Sequence, residues 1–219
     1  MNSLPLKIDF HVHTCYSNDS LTSLRDVILY AKKRGLDGVA ITDHNTIEGA
    51  LKLQKSNSDG IIVIPGIEVS TKAGHILGIN VTTHIPQGLS IEETVERIHE
   101  AGGIAIAAHP SALYKSGIGL SKKILAQHID AVETINSSVF PFFLLNYMSR
   151  RLANRTRLPQ TGGSDSHVIE TIGLAYTVVN GVDINSDIEE IIRAVKRGMS
   201  VPYGKPIPWR IRLREILRR

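Results

Sequence analysis

Cysteine is almost absent: Cys15 stands alone among 219 residues. A lone thiol excludes an intrachain disulfide and argues against an oxidising compartment. Long hydrophobic runs are absent too. The longest, such as residues 60–67 and 103–108, are far too short to cross a bilayer. The opening segment MNSLPLKIDF has neither a basic n-region nor a long apolar h-region, so no signal peptide is visible. No low-complexity linker divides the chain. Together these absences point to the cytoplasm, with no membrane partner.

What is present is ordinary globular composition, 42% hydrophobic and 21% charged, enough to bury a sizeable core. The length suits a one-domain α/β barrel. Charge is unevenly placed. Of the formal +4, residues 205–219 carry a net +5, with Glu215 alone against Lys205, Arg210, Arg212, Arg214, Arg218 and Arg219. The rest of the chain is therefore at −1, and the expected division is a body of residues 1–204 and a basic tail of 205–219. Such a tail can seek phosphate or nucleic acid. It can also be an amphipathic end that docks on the body through Trp209, Ile211, Leu213, Ile216 and Leu217, and docking is the expectation.

Strand-length apolar runs alternate with segments of helical period. The spacing predicts strands at 6–10, 38–42, 61–67, 104–108, 131–135, 160–163 and 175–179, with a short strand or hairpin at 74–81. Helices are predicted at 20–34, 46–56 and 184–197, and another to residue 101 opens on the capping box Ser90-Ile91-Glu92-Glu93. This βαβα rhythm argues for a parallel sheet covered by helices, and periodicity alone leaves a closed barrel and an open sheet both standing.

Polar residues fall at the strand ends. His11 and His13 are two apart at the end of the first run, so they share one face. Asp43 and His44 follow the second, Glu68 the third, and His75 sits in the hairpin. His109 ends the next, Glu133 and Asn136 lie in AVETIN, and Asp165 and His167 follow GGS. Each has a bland reading alone: a turn, a helix cap, a solvated carboxylate. Jointly they describe a metal site, because ligands in parallel α/β folds gather at the carboxyl ends of strands. Histidine with carboxylates suits zinc, manganese or iron better than calcium or magnesium. His84, His99 and His128 lie elsewhere and are read as ordinary surface residues.

The series HVHT, YSNDS, TDHN, GIEVS, GHILG, AAHP and GGSDSH resembles the PHP family, named for polymerase and histidinol phosphatase domains, across residues 6–180. The resemblance implies a distorted, TIM-like (β/α)7 barrel with two or three divalent metal ions (Mn, Zn or Fe) at its carboxyl-end mouth, and phosphoester hydrolysis there. It implies His11, His13, Glu68 and Asp165 around one metal, Glu68, His75 and His109 around a second, and Asp19, His44 and His167 around a third. Many relatives read Ser-Asp-Gly where this chain reads Ser17-Asn18-Asp19, so either Asn18 or Asp19 fills that slot. The nearer likeness is to short phosphoesterases acting on nucleotides or oligonucleotide 5′ ends, with a phosphorylated small molecule as the other substrate class.

The expected chemistry follows from those ligands. Two divalent ions about 3.5–4 Å apart share a water, lower its pKa and direct the hydroxide at phosphorus. Glu68 bridges the ions, His44 or His167 clamps substrate or protonates the leaving oxygen, and Asp43 supports from behind as an orienting group. Lys72, Lys115 and the Ser116-Gly117 turn are candidate phosphate contacts. Three alternatives remain: a metal-poor RNA-binding scaffold resembling a ribonuclease P protein subunit, a histidinol-phosphate phosphatase, and an amidohydrolase, which would bring a bridging lysine.

Overall fold

The structure, a computed structural model, describes residues 4–56, 60–119 and 128–218, without the side chains of Ile216 and Arg218. Nine strands form one sheet in the order β7-β6-β5-β4-β3-β2-β1-β8-β9. They are β1 (Leu6–Val12), β2 (Gly38–Ile41), β3 (Ile62–Thr71), β4 (Gly74–Ile79), β5 (Ile104–Ala107), β6 (Ala131–Asn136), β7 (Gln160–Gly163), β8 (Ala175–Val179) and β9 (Ser200–Gly204). The described helices are α1 (Leu24–Lys33), α2 (Glu48–Ser56), α3 (Ile91–Glu100), α4 (Phe142–Thr156), α5 (Ile188–Lys196) and α6 (Trp209–Arg218).

The sheet curls until its seventh strand returns to its first. The Asp165 amide donates to the His11 carbonyl at 2.8 Å, and the His13 amide donates to the Ser166 carbonyl at 3.0 Å. The result is a nearly closed, distorted barrel. It is not the all-parallel sheet the βαβα rhythm predicts. β1–β2–β3 and β5–β6–β7 run parallel, but β4 lies antiparallel between β3 and β5, and β8 and β9 continue antiparallel from β1. The two-residue connection between Thr71 and Gly74 explains β4, because so short a connection permits only a hairpin.

Helix starts lie later than the apolar period implies, because polar caps set them. Ser23 accepts the Asp26 amide ahead of α1, and Asp187 with Glu190 forms a reciprocal capping box ahead of α5. The predicted box at Ser90 and Glu93 is present. Two elements escaped the pattern. In α4 Phe143, Leu144 and Tyr147 are exposed, which blurs the helical stripe. β9 carries Pro202, tolerated at a sheet edge.

One bulge decides how the floor meets the mouth. The β1–β2 register shifts between Asp9 and Val12. Phe10 therefore joins the apolar cluster with Ala40, Ile64, Leu77 and Ile106, closed below by Ile191 and Val195 of α5. His11, the next residue, still enters the polar mouth, while Val12 packs outward against Val27 and Ile28 of α1. Bulges re-aim side chains in this way beside functional sites.

The tail docks, but mainly through groups other than the expected ones. Ile207 is buried, Arg212 Nη1 donates to the Ser138 carbonyl at 3.1 Å, and Arg214 pairs with Glu170 at 2.5 Å. Trp209, Leu213 and Leu217 are exposed and Ile211 is half-buried. The expected Ile216 contact and Arg219 lie outside the described residues. No helix among the described residues is long and apolar enough to cross a membrane.

Asp9 fastens the seam. Its carboxylate accepts the amides of His11 at 3.2 Å, Ser164 at 2.8 Å and Gly173 at 2.9 Å. Burial pushes its pKa up to about 6 against the pull of those bonds. Asp9→Asn turns one acceptor into a donor facing an amide. Urea denaturation should show the variant less stable by about 1–3 kcal/mol.

Candidate metal centre

Strands β1 to β7 deliver polar residues to one mouth. β1 supplies His11 and His13, the following loop Asp19, the β2 exit Asp43 and His44, and β3 Glu68. His75 comes from the beginning of β4, and the antiparallel pairing sets it opposite Ser70 near the end of β3. His109 follows β5, Glu133 and Asn136 lie on β6, and Asp165 and His167 follow β7.

Glu68 is the centre. Its Oε1 lies 2.9 Å from His75 Nδ1 and 3.1 Å from His109 Nε2. Its Oε2 lies 3.0 Å from His44 Nδ1, 3.3 Å from His13 Nε2 and 3.4 Å from His11 Nε2. A second carboxylate, Asp165 Oδ1, lies 3.6 Å from His13 Nε2, 3.8 Å from His11 Nε2 and 3.6 Å from His167 Nδ1. Asp19 Oδ2 lies 3.1 Å from His167 Nε2 and 3.6 Å from His44 Nε2, whereas Asn18 is simply exposed.

Supporting hydrogen bonds decide which nitrogen of each ring carries its proton. His11 Nδ1 donates to Glu133 Oε1 at 3.0 Å. Ser17 Oγ donates to Asp43 Oδ1 at 2.9 Å and accepts the His44 amide at 3.0 Å, so it also accepts from His13 Nδ1 at 3.0 Å. Both Nε2 atoms then turn lone pairs toward one another across 3.1 Å. Two such lone pairs tolerate that distance only with a cation between them, either a proton or a metal ion. Among the described residues, buried Glu68 Oε2 and His109 Nδ1 have no hydrogen-bond partner, although imidazole nitrogens lie 3.0–3.4 Å from Oε2. Among the described residues, four sets of donor atoms lie close enough to hold a metal: His11/His13/Asp165, His11/Glu68/His109, His44/Glu68/His75 and His13/His44/His167. Imidazole nitrogens with carboxylate oxygens suit divalent transition metals. The site fits them.

Ionisation shows the same demand for cations. Burial alone would depress His11, but Glu133, Asp165 and Glu68 raise its pKa well above the ordinary value. Burial opposes the ionisation of Glu68, yet His11, His109 and His13 hold it well below the usual carboxylate range. Burial opposes protonation of His44, and Asp19 and Glu68 lift it to about 10. Burial is also outweighed at Asp165, where Lys115 and His11 keep the carboxylate ionised. His167 moves the other way, depressed by burial and by His13.

The remaining sequence expectations divide. Asp43, counted among the catalytic candidates, meets Glu68 through its backbone, its carbonyl accepting the Glu68 amide at 3.1 Å, while its carboxylate points to the loop after β1. It accepts Thr14 N at 2.6 Å, Thr14 Oγ1 at 2.7 Å and Ser17 Oγ, so it positions His13 and His44 through Ser17. Lys115 reaches the centre, pairing with Asp165 and donating to Ser138 Oγ at 2.8 Å. Lys72 is exposed in the β3–β4 turn, and the Ser116 carbonyl accepts the His75 amide. Cys15, His84 and His128 are exposed, and His99 pairs with Asp130 at 2.7 Å. Sequence reasoning missed the role of Glu133, which holds His11 with one oxygen and accepts the His109 amide and Asn136 Nδ2 with the other. Its place on a buried strand beside the HVH strand end was the available signal. Gly163 leaves room for this pair: a Cβ there would collide with His11 and lie 2.8 Å from Glu133 Oε1.

Known proteins share this architecture. A family model described as PHP-associated matches residues 144–200. An uncharacterized protein of Methanocaldococcus jannaschii is 40% identical over 143 residues, 60% of this chain and 82% of that protein. A two-domain protein from Bacteroides vulgatus, described as containing a predicted PHP-like metal-dependent phosphoesterase, superposes with a TM-score of 0.77 at 17% identity, covering 99% of this chain and 70% of that one. The chain belongs to the PHP family. A lesion-specific endonuclease of Pyrococcus furiosus resembles this fold, with a TM-score of 0.66 at 21% identity over 92% of this chain and 59% of that one.

Metal uptake by this PHP site must displace protons held on the imidazoles. Calorimetric titration of the metal-free protein in buffers of different ionisation enthalpy should show net proton release, and apparent affinity should fall as the solution is acidified. Glu133→Gln keeps an acceptor for His11 but turns an NH2 group toward the His109 amide. Chelator competition should show metal affinity lowered by about 10–100-fold, while the exposed Cys15→Ser change leaves metal content intact.

Proposed function

We propose that this PHP protein is a metal-dependent phosphoesterase, hydrolysing the phosphate ester of a phosphorylated small molecule, a nucleotide or an oligonucleotide 5′ end. One observation carries the reading: the buried Glu68 carboxylate sits among five imidazoles, with ring nitrogens within 3.4 Å of both its oxygens. A buried carboxylate so placed is suited to joining two cations. The description of the Bacteroides vulgatus neighbour supports the same reaction class.

In this reading His11, His13, Glu68 and Asp165 form one ligand set, and Glu68, His75 and His109 a second. Asp19, His44 and His167 form a third. Manganese, zinc or iron would suit these donors. When bound, divalent ions lower the pKa of a water to about 7 and offset charge on a phosphoryl group.

The chain's own residues set the direction of approach. His11, His13, Glu68 and His109 are at most 1% exposed, whereas His44 is 27% and Asp19 41% exposed. The phosphate therefore enters from the Asp19 side, and its leaving oxygen faces His44 and His167. Either imidazole can deliver a proton there. Lys115, held by Asp165 and Ser138, brings an ammonium to the centre and can exchange the carboxylate for a phosphoryl oxygen.

The protein purified after metal-replete expression should hold at least two transition-metal ions per chain and turn over some member of a phosphate-ester panel. Less than one ion by elemental analysis would sink the reading. Glu68→Gln should reduce kcat by at least about 1,000-fold. Asp19→Ala should cost about 10–100-fold, partly restored by added manganese, and Asn18→Ala should do little. The reverse order for Asn18 and Asp19 would move the third set by one residue.

A further inference from the structure

Aromatic residues are scarce, 5% of the chain, yet several stand exposed on one rim of the mouth. Tyr114 is 63%, Phe140 48% and Trp209 62% exposed. They come from three separate segments, the loop after β5, the loop after β6 and the start of α6. The three are nonetheless joined. The Phe140 amide donates to Tyr114 Oη at 2.5 Å, and the Phe140 and Trp209 rings meet edge to face at 5.3 Å. The Arg212 guanidinium lies 5.5 Å over Phe140 and donates to the Ser138 carbonyl.

The same loop is tied to the candidate metal centre. Asn136 Nδ2 donates to Asp165 Oδ2 at 3.2 Å, and Asn136 Oδ1 accepts the Ser138 amide at 2.9 Å. Lys115 joins Asp165 to Ser138 directly. The rings are therefore fixed in orientation and adjacent to the phosphate chemistry, while much of their surface is left to water. A helix anchor would bury its tryptophan; here Ile207 and the arginines do the anchoring.

We propose that Trp209 and Phe140, with Tyr114 beside them, form a stacking subsite for the base of a nucleotide or single-stranded oligonucleotide whose phosphate enters the metal centre. This rests on the phosphoesterase reading above and narrows its substrate. A ring face presented beside cations is how single strands are held without sequence preference, since every base has a π-face. Lys115 and Arg212 supply positive charge between the rings and the centre, where the connecting backbone phosphate would pass. A phosphorylated small molecule with no planar group gains nothing from these rings.

Trp209 is the only tryptophan, so its fluorescence reports the subsite without turnover. Metal-loaded protein would be titrated with AMP and with ribose 5-phosphate, which carries the same phosphate without a base. Saturable quenching by AMP and none by ribose 5-phosphate is the expected result. Phe140→Leu, which keeps the tryptophan, should weaken the AMP midpoint by about 5–30-fold. In Trp209→Leu the ratio of kcat/KM for AMP to that for ribose 5-phosphate should fall by the same factor. An unchanged ratio, or equal loss on both substrates, would assign the rings a structural role and overturn the subsite. Emission that shifts to the blue with rising protein concentration, alongside dimer formation, would assign them to a second copy and overturn it too. Absence of turnover on every phosphate ester, with AMP quenching retained, would remove the phosphoesterase reading and leave the base subsite.

Discussion

A carboxylate at 1% exposure must be matched by positive charge, and Glu68 meets that requirement with five imidazoles drawn from four different segments. Burying an unmatched carboxylate costs several kcal/mol after relaxation. The architecture serves this one group. The bulge in β1 lets Phe10 fill the floor while His11 reaches the mouth. The β3–β4 hairpin carries His75 back to Glu68, seven residues away in sequence. The curl of the sheet brings Asp165 against the first strand.

Behind the residues gathered around Glu68 lies a tier of groups that hold them rather than replace them. Asp43 acts through Ser17 on two histidines, and Glu133 fixes the ring of His11 and the backbone of His109. The backbone is strained to suit. His109 has φ 27° and Asp165 φ 53°, conformations that cost about 1–3 kcal/mol each. Such strain persists because the surrounding bonds over-determine it: the Asp165 amide is held by His11, and the His109 amide by Glu133.

The residues converging on Glu68 were legible because strand ends and the His-x-His spacing mark them directly. A two-residue period puts His11 and His13 on one side whatever the barrel does around them. The supporting tier was less legible. Nothing local distinguishes Glu133 as an orienting group from a ligand, since that depends on which ring nitrogen it meets across the barrel. Ser17 reads as a turn residue until its three partners are seen. The antiparallel placement of β4 follows from a connection length, but β9 and α4 were hidden by a proline and by exposed apolar side chains. Those rings of α4 and α6 break the helical stripe because they face outward.

The seam between β7 and β1 has a temporal meaning. Asp9 and Ser164, hydrogen-bonded in the finished barrel, are 155 residues apart in the chain. His11 and His13 therefore leave the ribosome well ahead of Asp165 and His167, with the intervening strands and helices still to be made. At about 5–20 residues per second, that interval lasts roughly 8–30 seconds. Throughout it, the two imidazoles are open to whichever cation arrives first. Metal selection would then begin in the nascent chain, before the pocket that is meant to discriminate has closed.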